Sequence, residues 1–281
     1  MKIVILGLGL IGGSIAKQLS LKNEFEIFAY DFNHDSINNA LATSSIGGVI
    51  QDLSELGSKD FENSLVVIAT PPKISLEILR SLKFLFNTSV TITDTASIKL
   101  PANQLLAELG SPANVVFSHP IAGSHHSGEK HSVSNLFQNK KVILSCPPSA
   151  SGEHVTKVKR LWDALESEMI SLDAATHDYI LAHSSHLPHM ASYALLMTLR
   201  DLNEDSIAKF SGGGFGEFLR LASSSPEMWA DIFSLNQTNI IASLEIFIEN
   251  LNKLKATISR QDSKDLESLL VDLKNFKELN Y

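Results

Sequence analysis

The residues most suited to chemistry stand at the ends of short apolar runs. Gly7-Leu8-Gly9-Leu10-Ile11-Gly12 has the spacing G-x-G-x-x-G, follows the apolar run Ile3–Leu6 and opens an apolar stretch with helical spacing. In that context the glycines have a mechanism. Gly7 permits a tight turn and Gly9 lets the backbone approach a pyrophosphate. Gly12 lets helix and strand pack closely, and the helix N-terminus faces the phosphate charge. Asp31 ends the next apolar run, about 20 residues past the glycines, where an acid accepts from a ribose 2′-hydroxyl. A carboxylate there repels a 2′-phosphate, and Phe32-Asn33-His34 offers no arginine to bind one. NAD rather than NADP is the expected cofactor.

Further apolar runs end in Thr70-Pro71-Pro72, Asp94-Thr95-Ala96-Ser97-Ile98-Lys99 and Ser118-His119-Pro120-Ile121-Ala122-Gly123. Ligands of an open parallel sheet gather at the carboxyl ends of its strands, so Thr70, Pro71 and Asp94 are expected beside the cofactor. His119 is a candidate base because imidazole changes charge near neutral pH; a satisfied strand-end histidine is the alternative. His183, His186 and His189 invite a metal reading. Their spacing sweeps off one helical face, Pro188 interrupts the backbone, and no acid or Cys completes a ligand set, so no metal is expected. His125, His126 and His131 read as a solvated loop over the site.

The elements that must position these residues follow from pattern. Strands are expected at Ile3–Leu6, Glu26–Tyr30, Leu65–Ala69, Val90–Thr93, Val115–Ser118 and Lys141–Leu144, with helices such as Ile11–Ser20, Ile74–Leu85 and Leu100–Leu109 between them. Several strands lack polar alternation, as strands covered on both faces do. The rhythm is that of an α/β protein with a doubly wound parallel sheet of Rossmann type. One more helix and strand are expected at Glu153–Glu166 and Met169–Leu172; beyond Asp173 only helices are expected: Ala174–Leu187, His189–Leu202, Pro226–Leu251 and Ser263–Leu279. The domain reading is therefore 1–150 for the nucleotide and 151–281 for an all-α substrate-binding and dimerisation domain. Ser225-Pro226-Glu227 is a helix start. Ile241, Leu244, Ile248, Leu251, Leu254 and Ile258 form one apolar stripe, expected to be a homodimer interface, with an ordinary core helix as the alternative.

Composition narrows the class. The formal charge of −8 argues against nucleic-acid or anionic-membrane partners, which need clustered cations. Only Arg80, Arg160, Arg200, Arg220 and Arg260 are arginines, which makes each a candidate for a specific task. Cys146 is the one cysteine, so no intrachain disulfide forms; a reducing, cytoplasmic setting is expected. No apolar stretch nears the roughly 20 residues of a membrane span.

Taken together, Gly7–Gly13-Ser14, Asp94-x-x-Ser97-x-Lys99, His119-Pro120-Ile121-Ala122-Gly123, Ser185-His186-Leu187-Pro188-His189 and Gly212-Gly213-Gly214-Phe215 followed by Arg220 resemble the prephenate/arogenate (cyclohexadienyl) dehydrogenase family. The likeness spans essentially the whole chain, with the motifs in order. It implies NAD-dependent oxidative decarboxylation of a small cyclohexadienol, prephenate to 4-hydroxyphenylpyruvate, in tyrosine biosynthesis. On this resemblance His119 is the catalytic base and Ser97 hydrogen-bonds the reacting hydroxyl. Arg220 pairs with a substrate carboxylate, His186 matches a substrate-binding histidine, and His125 lies near the substrate's side chain. Where many relatives carry an acid after Ala122-Gly123-Ser124, this chain has His125-His126, which suits the ketoacid of prephenate better than the ammonium of arogenate. Gly216-Glu217 departs too, where relatives often carry a basic residue. An arogenate or dual-specificity cyclohexadienyl dehydrogenase is the nearest alternative; more distant are a different hydroxyacid dehydrogenase with a helical second domain and an NAD-binding protein without catalysis.

Overall fold

The computed structural model describes residues 1–123, 128–202 and 212–280. Strands β1 (Lys2–Leu6), β2 (Glu26–Tyr30), β3 (Gly48–Val49), β4 (Leu65–Ile68) and β5 (Thr91–Asp94) form a parallel sheet in the order β3-β2-β1-β4-β5. Residues 2 to 6 of β1 pair in register with 26 to 30 of β2, so Leu6 lies beside Tyr30 on one side and Ile68 on the other. A bridge from Ile92 to Val115 leads into β6 (Phe117–Pro120), which pairs antiparallel with β7 (Lys141–Ser145); β7 runs parallel to β8 (Glu168–Ser171). The parallel doubly wound sheet is as expected through β5, and its far edge is mixed. The connection explains this. Parallel neighbours need a long crossover, normally a helix, whereas only a short helical turn, Glu129–His131, is described between β6 and β7.

Helices α1 (Leu10–Leu19), α2 (His34–Ala42), α3 (Pro72–Ser81), α4 (Leu100–Glu108) and α5 (Gly152–Ala164) cover the sheet. Ile3, Ile5, Leu65 and Val67 pack with Ile15 and Leu19 of α1 and Val158, Leu161 and Trp162 of α5. Val4, Leu6, Val66 and Ile68 pack with Leu79 of α3 and Leu105 and Leu106 of α4. Alternate side chains of each central strand thus enter two separate cores, which is why the strands show no polar alternation.

The division expected at residue 150 falls between β7 and α5, inside the β6-β7-β8 sheet. Met1–Asn236 forms one compact unit and Gln237–Tyr281 a second. The helices of the first unit after β8 are α6 (Ala174–Leu181), α7 (Leu187–Leu202), α8 (Gly213–Ala222) and α9 (Pro226–Leu235). Ser225 caps α9 as expected, accepting the Met228 N–H at 3.4 Å. The single helix expected over Pro226–Leu251 is instead broken at Asn236, which leaves helical geometry (φ −111°, ψ 28°) and whose amide donates to the Asp178 carbonyl at 2.7 Å. The second unit comprises α10 (Gln237–Ser259) and α11 (Ser263–Asn280). Within it Ile241, Ile248, Leu251 and Ile258 of α10 and Leu270, Leu273 and Phe276 of α11 are exposed. Among the described residues no helix is long and apolar enough to cross a membrane.

The first crossover is packed too tightly for a side chain. A Cβ on Gly12 would stand 1.9 Å from the Gly7 carbonyl oxygen, whereas one on Gly9 would meet nothing within 4 Å. Gly12→Ala should therefore cost about 1–3 kcal/mol through overpacking, and Gly9→Ala should leave Tm within about 1 °C. Thermal unfolding of both variants checks this; equal losses would place the constraint elsewhere.

Candidate active site

A cavity of about 320 Å³ opens along the carboxyl edge of the sheet. Gly9, Leu10, Ile11, Thr70, Pro71, Ser97 and His119 line one side of it, and Ser224, Ser225 and Met228 come from the α8–α9 connection. Its glycine end fits a dinucleotide. Gly7 takes φ +101°, which an L side chain rarely adopts, and there a Cβ would strike the Ala69 carbonyl at 2.7 Å. The first turn of α1 has no side-chain cap and no acidic residue, so its backbone donors are left for an anion. Asp31 ties this turn to β2: it accepts the Leu8 N–H at 2.6 Å and the Asn33 N–H at 2.7 Å. Its two oxygens keep lone pairs for a further donor such as a ribose hydroxyl. Leu8 is itself buried, so its role is to shape the turn.

Asp94 does not reach the cofactor cleft as expected. Its carboxylate is buried against the Lys99 ammonium at 2.6 Å, with Lys99 fully enclosed, and it also accepts the N–H groups of Ser118 and Ala96. Burial pushes the carboxyl up and the amine down, and each charge pulls the other back. The backbone turns after Asp94, leaving Ser97 half-buried at the cleft while Lys99 folds back beneath it. The motif's lysine is thus a structural partner of its aspartate.

Behind His119 lies a hydrogen-bonded chain that the sequence reading missed. His119 Nδ1 is 2.8 Å from His177 Nε2, and His177 Nδ1 is 2.7 Å from Asp178 Oδ1. All three side chains are buried, and Asp178 also accepts the Lys99 and Leu100 N–H groups, both at 2.8 Å. An acceptor-only carboxylate requires a proton on His177 Nδ1. With one proton per ring, His177 Nε2 must then accept from His119 Nδ1–H, and His119 Nε2 is left with a free lone pair. Burial first, and then the neighbouring His177 and Lys99, hold His119 well below the ordinary imidazole value, so it is neutral at pH 7. A usable signal was present in sequence: Asp173 starts α6, capping the Thr176 N–H at 2.9 Å, and His177-Asp178 is a polar pair inside an otherwise apolar helix.

In the helical half His186 stands back from the cleft. His186 is 1% exposed, its Nδ1 3.3 Å from the Asn236 amide, and it does not line the cleft. Residues Ala182–His186 form a π-helical turn joining α6 to α7. Pro188 has no N–H to give the Ser184 carbonyl, and Ser184 bonds back to the Ile180 carbonyl; both favour the wider turn. On a regular α-helix His177 and His189 would differ by about 120°, and one inserted residue reduces this to about 20°. His186 stays close enough to His177 and Asp178 to feel their charge, whereas His189 lies one turn further along, toward Arg220. It stacks on Trp229 at 3.7 Å and lies near Arg220, and burial above all holds it down at about 4. His189 Nδ1, Ser192 Oγ, Tyr193 Oη and Trp229 Nε1 are buried polar atoms without hydrogen-bond partners among the described residues. Arg220 pairs with Glu217 at 3.0 Å on the surface of α8 and does not line the cleft. His125 lies outside the described residues.

Two outcomes follow from the buried chain. A neutral His119 acting as base predicts that kcat/KM rises with pH through the His119 pKa and then levels, with its acid limb below pH 6.5. A limb centred above pH 6.5 would contradict a depressed His119. Asp178→Asn removes the carboxylate that selects the tautomer, so kcat should fall by about 10²–10⁴ with the nucleotide still bound. A kcat within threefold of the parent would remove the chain from catalysis.

Comparison with known proteins agrees with this geometry. Residues 15–171 match the nucleotide-binding domain of prephenate dehydrogenase, and residues 173–272 match its dimerization domain. The prephenate dehydrogenase of Bacillus subtilis is 30% identical over 98% of this chain and 75% of its own length. The cyclohexadienyl dehydrogenase of Zymomonas mobilis is 29% identical over 98% of this chain and 92% of its own. Among solved structures, prephenate dehydrogenase from Aquifex aeolicus, in complex with hydroxyphenyl propionate and NAD+, superposes with a TM-score of 0.89 at 33% identity, covering 99% of this chain and 97% of that one. Synechocystis arogenate dehydrogenase gives a TM-score of 0.82 at 25% identity, with both chains fully covered. The glycine turn precedes the first matched residue, so its reading rests on its own geometry. With an intact nucleotide cradle, a buried histidine at the cleft and both halves of the family pattern, this chain belongs to the prephenate dehydrogenase family of NAD-dependent oxidoreductases.

Proposed function

We propose that the chain converts prephenate to 4-hydroxyphenylpyruvate and CO₂ in preference to arogenate, with His119 as catalytic base. The observation that carries this is the Asp178–His177–His119 chain, which ends in the cleft that Ser97 and the glycine turn also line. The glycine turn and Asp31 would hold NAD, which would supply the acceptor for a hydride from the ring carbon that bears the hydroxyl. His119 Nε2 takes the hydroxyl proton as that oxygen becomes a carbonyl, and the imidazolium so formed is stabilised through His177 by the Asp178 carboxylate. Ser97 donates to the same oxygen. Departure of the ring carboxylate as CO₂ sends its electron pair through the ring to that oxygen, and the His119 imidazolium returns the proton, leaving an aromatic phenol and the neutral base. Asp31 would select the unphosphorylated ribose, and Thr70 and Pro71, which line the cleft, would flank the nicotinamide end.

The substrate's carboxylates need cations or strong donors. Arg220 serves here, since its present pair with Glu217 is exposed and such pairs are weak. His189 and Trp229 beside it take the role first given to His186. The preference for prephenate rests on His125-His126 standing where an acid would attract an ammonium group. The nucleotide-binding part extends past residue 150 through β8, as the span of the family match supports. The chain acts as a homodimer through its C-terminal helices, whose exposed apolar residues and dimerization-domain match support that assembly. Nucleic acid has no part in this reading given the charge of −8, and the lone cysteine suits the cytoplasm.

The direct test mixes purified protein with NAD and either substrate and follows NADH together with the aromatic product. Prephenate should give the higher kcat/KM; arogenate preferred tenfold or more would overturn the preference. Arg220→Ala should raise the substrate KM by about 10- to 100-fold, the worth of one charged hydrogen-bonded contact, with kcat nearly unchanged. An unaltered KM would move the carboxylate contact to another residue.

A further inference from the structure

The cleft has two walls, and one carboxylate touches both. Asp231 stands on α9, with its side chain only 12% exposed. Its Oδ1 is 3.0 Å from Lys73 Nζ, and its Oδ2 accepts the Lys73 backbone N–H at 3.3 Å, across 158 residues of sequence. Lys73 is the second residue of α3. Pro71 and Pro72 before it have no N–H, so Lys73 offers the first free donor of that helix, and an anion there meets the positive end of the helix dipole. The residues leading into α3, Thr70-Pro71-Pro72, line the cofactor side of the cleft; Ser225 and Met228 at the head of α9 line the other side. The far end of α9 is also held, because Asn236 donates to the Asp178 carbonyl at 2.7 Å. Helix α9 is therefore a strut, pinned to the cofactor wall by Asp231 and to the base's hydrogen-bonded chain by Asn236.

We propose that Asp231, together with Lys73, is a positioning pair that sets the width of the cleft and with it the approach of substrate carbon to nicotinamide. The inference rests on the dehydrogenase reading, in which reacting atoms must come within about 3–3.5 Å. A carboxylate that merely capped α3 would protect that helix alone. A strut links α3 and α9, so loosening it frees both.

Three variants separate the contacts. Lys73→Ala keeps the carboxylate on the backbone N–H, Asp231→Asn keeps an acceptor but loses the ion pair, and Asp231→Ala removes both. Hydrogen–deuterium exchange read at residues 73–76 and 226–235 should show protection lost in both segments together in Asp231→Ala. Loss confined to 73–76 would overturn the strut, whether or not the enzyme turns over. In kinetics at a temperature where circular dichroism shows every variant folded, kcat should fall in the order Lys73→Ala, Asp231→Asn, Asp231→Ala, reaching tenfold or more. The Kd for NAD, followed by fluorescence titration, should stay within twofold, because the glycine turn and Asp31 lie apart from the pair. Lower Tm with unchanged kcat would reduce Asp231 to a stabilising cap. Parent protein inactive on both prephenate and arogenate would instead defeat the functional reading, and the exchange result would still judge the strut.

Discussion

Lys99 closes a ring of interactions on which the site depends. Its ammonium holds Asp94, Asp94 holds the Ser118 N–H just before His119, and His119 meets His177. His177 meets Asp178, and Asp178 returns to the Lys99 backbone N–H. Two buried carboxylates, each costly alone, are both satisfied because one residue supplies an ammonium to the first and an amide to the second. The ring joins the end of β5, the end of β6 and helix α6. Movement of any of the three would unpair a buried charge, which gives the catalytic edge its rigidity.

The same ring divides the labour of the two aspartates. Asp94 balances a cation and orders backbone, so it contributes to position without touching the reacting groups. Asp178 accepts only hydrogen-bond donors and so dictates where protons sit on two imidazoles in series. That arrangement leaves a neutral nitrogen facing the cleft although the surroundings are dense in titratable groups. The net effect is an imidazole at the cleft that is neutral at pH 7 and able to accept a proton.

What could be read from sequence was what is local. The glycine turn, the strand ends and Asp31 depend on neighbours a few residues apart, and the positions of β1, β2, β4 and β5 followed from runs buried on both faces. Ser97 and His119 were legible for the same reason, as polar residues closing apolar strands. Phase errors account for the rest. The π turn over Ala182–His186 adds a residue that periodicity does not register, so the phase of α7 could not be read from α6. The break at Asn236 was hidden because its cause, the Asp178 carbonyl, lies 58 residues away. Asp94 looked like a cofactor ligand because strand-end position says where a residue begins and not which way its side chain turns. The two-residue strand β3 was too short to leave a pattern.

The central claim is that the buried carboxylate selects the tautomer of His119. Nitrogen-15 NMR of the imidazole side chains at pH 7, assigned with a His119 variant, tests it most directly. The account predicts a protonated Nδ1 and an unprotonated Nε2 on His119, and a protonated Nδ1 on His177. A proton on His119 Nε2, or a charged ring at that pH, would contradict it.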